Sequence, residues 1–159
     1  MTNDEFKDAG KYFAEGEYVQ LPVPDRTSDW TLEGWFIWLS GRGPLIGADE
    51  EPWMWGWIYD CDGRCGYRVG GVERQTDTSV TDVRERWIYV AVAKEGSAVT
   101  LWINDRAADE WTGAPILATL SDIAAMKHAV GFAADVARYD RRLPDQCLTA
   151  HWNAGKSRV

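Results

Sequence analysis

Two apolar runs held apart by three turn-forming residues constrain this chain more than anything else in it. Trp87-Ile88-Tyr89-Val90-Ala91-Val92-Ala93-Lys94 and Ala98-Val99-Thr100-Leu101-Trp102-Ile103-Asn104 flank Glu95-Gly96-Ser97. Both runs are rich in β-branched and aromatic residues, and the glycine between them suits a tight turn, so the pair reads as a β-hairpin. A returning strand is expected across Gly131-Phe132 to Tyr139, followed by a helix over Asp145 to Asn153. Pro144 suits the first turn of that helix, Leu148 and Trp152 share a face at i, i+4, and Gly155 stops it. This order of hairpin, returning strand and capped helix points to a β-rich fold.

The rest of the chain is consistent with that. Tyr18-Val19-Gln20-Leu21 is a short strand ending at Pro22-Val23-Pro24, and Trp30 to Leu39 is a long β-prone run. Leu45-Ile46-Gly47 follows a loop, and Trp53 to Asp60 with Tyr67 to Val72 form a hairpin about Asp62-Gly63. Apart from the terminal helix, only Leu120 to Lys127 reads as helical, on the i, i+3 spacing of Ile123 and Met126. Many short strands with one small helix predict an all-β fold, a two-sheet antiparallel jelly-roll sandwich with a short C-terminal helix. We divide the chain into an N-terminal arm (1–11), the sandwich (12–155) and a tail (156–159).

Composition narrows the partners. The net charge of −8 disfavours nucleic-acid backbones and anionic membranes, which a negative field repels. No apolar run is long enough to span a membrane. The residues after Met1 are acidic and polar, unlike a secretory signal, so the expected location is cytoplasmic or, after lysis, a virion surface. Ten tryptophans must be either buried or displayed. Cys61 and Cys65 can bridge across their turn in an oxidising compartment or stand as two reduced small hydrophobes, and Cys147 is expected to pack. Neither a Cys pair nor a His pair completes a zinc site with them.

Seven segments in order resemble the laminin-G-like, concanavalin A-like jelly-roll family, across about residues 12–155. They are Gly16-Glu17-Tyr18-Val19-Gln20-Leu21-Pro22; Trp30-Thr31-Leu32-Glu33-Gly34-Trp35-Phe36; Leu45-Ile46-Gly47; Asp60-Cys61-Asp62-Gly63-Arg64; Trp87 with its strand; Leu101-Trp102-Ile103-Asn104-Asp105; and the tail from Asp135 through Arg141-Arg142-Leu143 to His151-Trp152-Asn153-Ala154-Gly155. The resemblance implies two stacked antiparallel sheets that serve mainly in binding or adhesion, with glycosidases on some branches. Two departures stand out. Ala134 replaces the first residue of the family's final acidic pair, leaving Asp135, and Asp105 stands where the family has a turn glycine, which Asp tolerates by adopting a left-handed backbone.

Catalytic chemistry is poorly represented. Glycoside hydrolysis needs two carboxylates flanking the scissile bond, and the glucanase pattern Glu-x-Asp-x-x-Glu is absent from every expected strand. His128 and His151 sit in no nucleophile motif, and His151 falls at a position that is structural in the family. The chain is therefore read as no enzyme. Asp60-Cys61-Asp62-Gly63 opens like an EF-hand loop, then fails at Arg64, Cys65 and Gly71. A calcium site built from separate loops would draw on Asp49, Glu50, Asp105 and Asp135.

The tryptophans carry the binding expectation. Trp53, Trp55 and Trp57 alternate and so share one face, which matching to the family makes the core face. Met54, Gly56 and Ile58 then face outward. Trp102 also faces outward, because Leu101 and Ile103 take inward positions, and Trp38 and Trp111 are expected to be exposed. Trp35, Trp87 and Trp152 are read as structural. The expected ligand-binding set is Trp38, Met54, Ile58, Trp102 and Trp111, with indole faces that suit sugar rings. The function expected is a non-enzymatic recognition module for glycans or cell surfaces, multivalent in context and displayed on a phage virion. The alternative is a structural or decoration subunit whose outward tryptophans meet protein neighbours, and a glycoside hydrolase relative is the distant third.

Overall fold

The computed structural model describes residues 10–21, 29–41, 46–47, 59–61, 64–69, 72–112, 123–127 and 129–158. In chain order the elements are β1 (Lys11–Phe13), β2 (Val19–Leu21), β3 (Trp30–Gly41), β4 (Ile46–Gly47), β5 (Tyr59–Cys61), β6 (Arg64–Val69), β7 (Val72–Ser79) and α1 (Val80–Val83). They continue with β8 (Trp87–Glu95), β9 (Ala98–Ile103), β10 (Arg106–Trp111), β11 (Ile123–Ala125), β12 (Ala129–Tyr139) and α2 (Asp145–Gly155), and a 3-10 turn follows at Lys156–Arg158. One sheet has six strands in the order β1-β12-β3-β8-β9-β10, and opposite it lie β2-β11-β4 and β5-β6-β7. The paired strands run antiparallel. This is the all-β antiparallel sandwich with a short terminal helix that the strand pattern predicts.

Strand β3 shows why the layers form. Its even positions, Trp30, Leu32, Phe36 and Trp38, enter the core between the sheets, where Ile46, Cys65, Val90, Val92, Leu101 and Ala125 also pack. Its odd positions, Trp35 and Ile37, join a second cluster on the outer face with Trp87, Tyr89, Ala91, Trp102, Phe132, Leu143 and Leu148. Because both faces are covered, Trp30 through Trp38 are buried without a break, as in a central strand of a layered fold. Burying each large apolar side chain contributes about 1.5–3 kcal/mol, so two clusters on one strand make β3 the spine of the molecule.

Three expectations are corrected. Leu120 to Lys127 is not helical where described: Ile123–Ala125 is the central strand of its sheet, paired with β2 and β4. Two strand edges needing a partner override the local preference, and Met126, at φ 66°, cannot continue a helix. In the β9–β10 turn, Asn104 rather than Asp105 takes the left-handed backbone, at φ 59°. The bridge between Cys61 and Cys65 is not made. Cys65 is a buried reduced cysteine, and the hairpin register sets it opposite Asp60 while Cys61 stands opposite Arg64. Facing pairs share a side of a ribbon, so the two cysteines are one position out of register for bridging.

Candidate functional site

Helix α2 lies on the outer face of the six-stranded sheet and makes one wall of a groove there. The segment before it is tied down by Thr31, whose hydroxyl donates to the Arg141 carbonyl at 3.1 Å and accepts from the Leu143 amide at 2.9 Å. Leu148 is buried beneath the helix, and Trp152 stacks on Trp35 with ring centroids 5.2 Å apart and planes 16° apart. Gly155 lets the last turn close on that indole, since a Cβ there would stand 2.3 Å from the Trp35 ring.

At the centre is Glu33, 5% exposed. Three donors from three elements converge on its carboxylate. The Tyr89 hydroxyl of β8 donates to Oε2, and the Tyr139 hydroxyl of β12 donates to Oε1 at 2.9 Å. His151 Nδ1 of α2 lies 2.9 Å from Oε1 and 3.0 Å from Oε2. A buried carboxylate is tolerated only with such partners. Burial, then the hydrogen bond to Glu33 and its negative charge, pushes the Tyr139 phenol up to about 12. The same causes in the same order raise Tyr89 still further.

The groove over this network has a volume of about 430 Å³. Its lining includes Glu33, Trp35, Tyr89, Tyr139, His151 and Asp135. A bulge in β12 shapes the rim: Ala134 pairs with Trp35 and Ala137 with Glu33, so β12 carries one extra residue there. Asp135 sits in that bulge at φ 51°, a left-handed conformation that Asp adopts more readily than most residues.

Few of the residues expected at the site are brought together. Trp38 is fully buried, and its indole N–H donates to the carbonyls of Ser40 at 3.0 Å and Gly41 at 3.2 Å. The exposure expected of it fails because it shares the inward parity of Trp30 and Phe36. Trp102 does point away from the inner core, opposite Leu101 and Ile103, but that outer face is covered and it is only 6% exposed. Its buried indole N–H finds no hydrogen-bond partner among the described residues. Trp111 is half-buried against the inner cluster, with the Arg74 guanidinium 5.3 Å from its ring centroid. Met54, Ile58, Asp49, Glu50 and the Trp53-Trp55-Trp57 row lie outside the described residues.

Asp105 and Asp135 are not neighbours. Asp105 lines a separate hollow with Asp77 and Asp82, while Asp135 lines the groove. Among the described residues, no three His, Cys, Asp or Glu side chains are grouped to hold a metal ion. Glu33 and Asp135 do share the groove, but both oxygens of Glu33 are engaged by Tyr89, Tyr139 and His151. A hydrolase needs a carboxyl group turned to the glycosidic bond.

Sequence reasoning missed Glu33, Tyr89 and Tyr139. The available signal was Glu33 itself, a charge within the apolar run Trp30-Thr31-Leu32-Glu33-Gly34-Trp35-Phe36-Ile37-Trp38, where an unpaired charge is costly.

No protein-family model matches the sequence, and no curated protein gives a significant match. Solved structures do match in fold. The binding domain of Paraclostridial Mosquitocidal Protein 1 aligns with a TM-score of 0.63 at 13% identity, over 93% of this chain and 48% of that one. Domain 4 of a GH43 extracellular arabinanase from Geobacillus stearothermophilus, solved in complex with arabinotriose, aligns with a TM-score of 0.66 at 14% identity, over 86% and 73%. A Trypanosoma rangeli sialidase aligns with a TM-score of 0.71 at 16% identity, over 92% of this chain and 28% of the enzyme. The chain thus spans about half of the mosquitocidal binding domain and about a quarter of the sialidase. What they share with it is the jelly-roll β-sandwich. No helix among the described residues is long and apolar enough to cross a membrane.

Proposed function

We propose that this domain is a non-enzymatic recognition module of the laminin-G-like kind and that it binds glycan in the groove beside α2. The observation that carries this reading is the groove itself. Its volume of about 430 Å³ falls in the range of small-molecule sites, and its lining combines the aromatic Trp35, Tyr89 and Tyr139 with the polar Asp135 and His151, the kinds of group that suit a pyranose. The arabinanase domain crystallised with arabinotriose shows the same sandwich in a sugar-bound protein. Glu33 serves here to hold the tyrosine and histidine side chains in place.

The test is a broad glycan array probed with the purified protein presented multivalently, with and without a calcium chelator. Multivalency converts weak single-site binding into measurable retention. Specific retention that Ala154→Trp, which fills the groove from an exposed helix position, weakens by tenfold or more supports the reading. Loss of retention in chelator adds calcium, with Asp135 as the groove's own carboxylate for it. A blank array overturns the glycan reading and leaves a protein neighbour as the partner, as in a decoration subunit of a phage virion.

A further inference from the structure

The groove's polar side-chain atoms are nearly all acceptors, and this restricts what fills it. Building on the glycan reading above, we propose that the groove holds the protonated amine of an amino sugar.

As a carboxylate Glu33 only accepts, so each group around it donates. Tyr89 and Tyr139 spend their hydroxyl hydrogens on it and are left with oxygen lone pairs. His151 turns Nδ1 to it, so this nitrogen donates to the carboxylate. Nε2 lies on the side of the ring away from Glu33, in a side chain 39% exposed. Asp135 adds a second carboxylate at the rim. The donor among these lining side chains is the Trp35 indole N–H, and Gly155 packs against it: a Cβ there would stand 2.6 Å from Nε1. Neither Lys nor Arg is among the described lining residues.

The backbone works in the same direction. Ala154 and Gly155, which line the groove, form the last turn of α2, where unsatisfied carbonyls give a helix its partial negative charge. The Lys156 amide returns to the Trp152 carbonyl, and the chain continues into the 3-10 turn at Lys156–Arg158, so the negative end of the helix lies beside the groove. The nearby cations have partners of their own: Arg138 binds Asp140, Arg142 binds Asp145 and Lys156 binds Asn153. Arg141 is exposed and acts on Tyr139 through its charge.

An ammonium group is all donor and carries positive charge. Carboxylates, helix-end carbonyls and aromatic faces each attract it. A sialylated or sulfated sugar offers acceptors and negative charge to the same atoms and is repelled. An N-acetylated sugar has lost the charge.

The test titrates the full chain with a glucosamine trimer, its N-acetylated counterpart and sialyllactose, by calorimetry at a pH that keeps the amine charged. The glucosamine trimer is expected to bind about tenfold tighter or better than the acetylated one, with sialyllactose unbound. Ala154→Lys, which sets a cation at the groove wall from an exposed position, should remove that preference, and Ala154→Gln should keep it, both with unchanged melting temperature. Equal binding of the two trimers, weakened alike by Ala154→Lys, overturns the amine assignment and leaves the glycan reading standing. Amine-dependent binding that Ala154→Lys does not move also overturns it, by placing the amine elsewhere. If neither trimer binds while the array shows other glycans retained, the assignment falls alone.

Discussion

Glu33 is a charge the fold has taken out of water, and its partners' protons hold it there. The Tyr139 phenol is raised from 10.0 to about 12, and Tyr89 is raised beyond that. A folded value above the unfolded one means that the unfolded chain releases its proton first as pH rises. The stabilisation is therefore complete below pH 10.0 and is lost as pH climbs through about 12. The melting temperature should fall across that window, with the last of the tyrosinate absorbance appearing together with unfolding. A flat melting temperature there would count against the network. At neutral pH, Tyr139→Phe removes one donor from a buried carboxylate and should cost about 1–3 kcal/mol in a urea melt. Part of this was legible in the sequence, where Glu33 is out of place in an apolar run. The rest was not, because its partners stand 56, 106 and 118 residues away and no local pattern reports such pairings.

The elements vary in how far the sequence announces them. Helix α2 was readable because Pro144, Leu148, Trp152 and Gly155 each act within a turn or two of one another. Strand β11 was not, since Ala124, Ala125 and Met126 favour a helix locally and only the waiting edges of β2 and β4 make a strand of Ile123–Ala125. Parity placed Trp102 on the correct side of β9 but could not show that the side is covered. The bulge at Asp135, which shapes the groove rim, depends on the register of β12 against β3. Gly155 is the tightest point of the helix–sheet contact. Gly155→Ala drives a methyl to 2.3 Å from the Trp35 ring, and such overpacking costs about 1–3 kcal/mol. For a chain of this length that lowers the melting temperature by about 2–4 °C per kcal/mol. A scanning-calorimetry trace matching the parent would show that α2 shifts freely over the sheet.

Across the molecule, apolar packing joins the two layers, and among the described residues a well-formed ion pair adds to it. Arg74 of β7 meets Asp109 of β10 through two bonds, at 2.8 and 3.1 Å, while its guanidinium also covers Trp111. The sandwich was legible from the succession of strands. This clasp was not, because charged residues on short strands look alike until register pairs them. A double-mutant cycle on Arg74→Ala and Asp109→Ala should give a coupling of about 0.5–1 kcal/mol, since the partly exposed pair is screened. The coupling should shrink as salt is raised. A value indistinguishable from zero would show that this clasp adds nothing to the apolar core.

The Glu33 network also sets a timetable for a chain leaving the ribosome. At roughly 5–20 residues per second, His151 emerges about 6–24 s after Glu33, given their separation of 118 residues. During that interval β3 can pair with β8, but a carboxylate short of its donors cannot surrender its water. The inner core is complete once β11 and β12 have emerged, whereas the outer face stays wet until α2 follows them. Arrival of α2 is the event that expels that water and seals Trp35, so a growing chain is exposed to chaperones longest on the face where the groove finally forms.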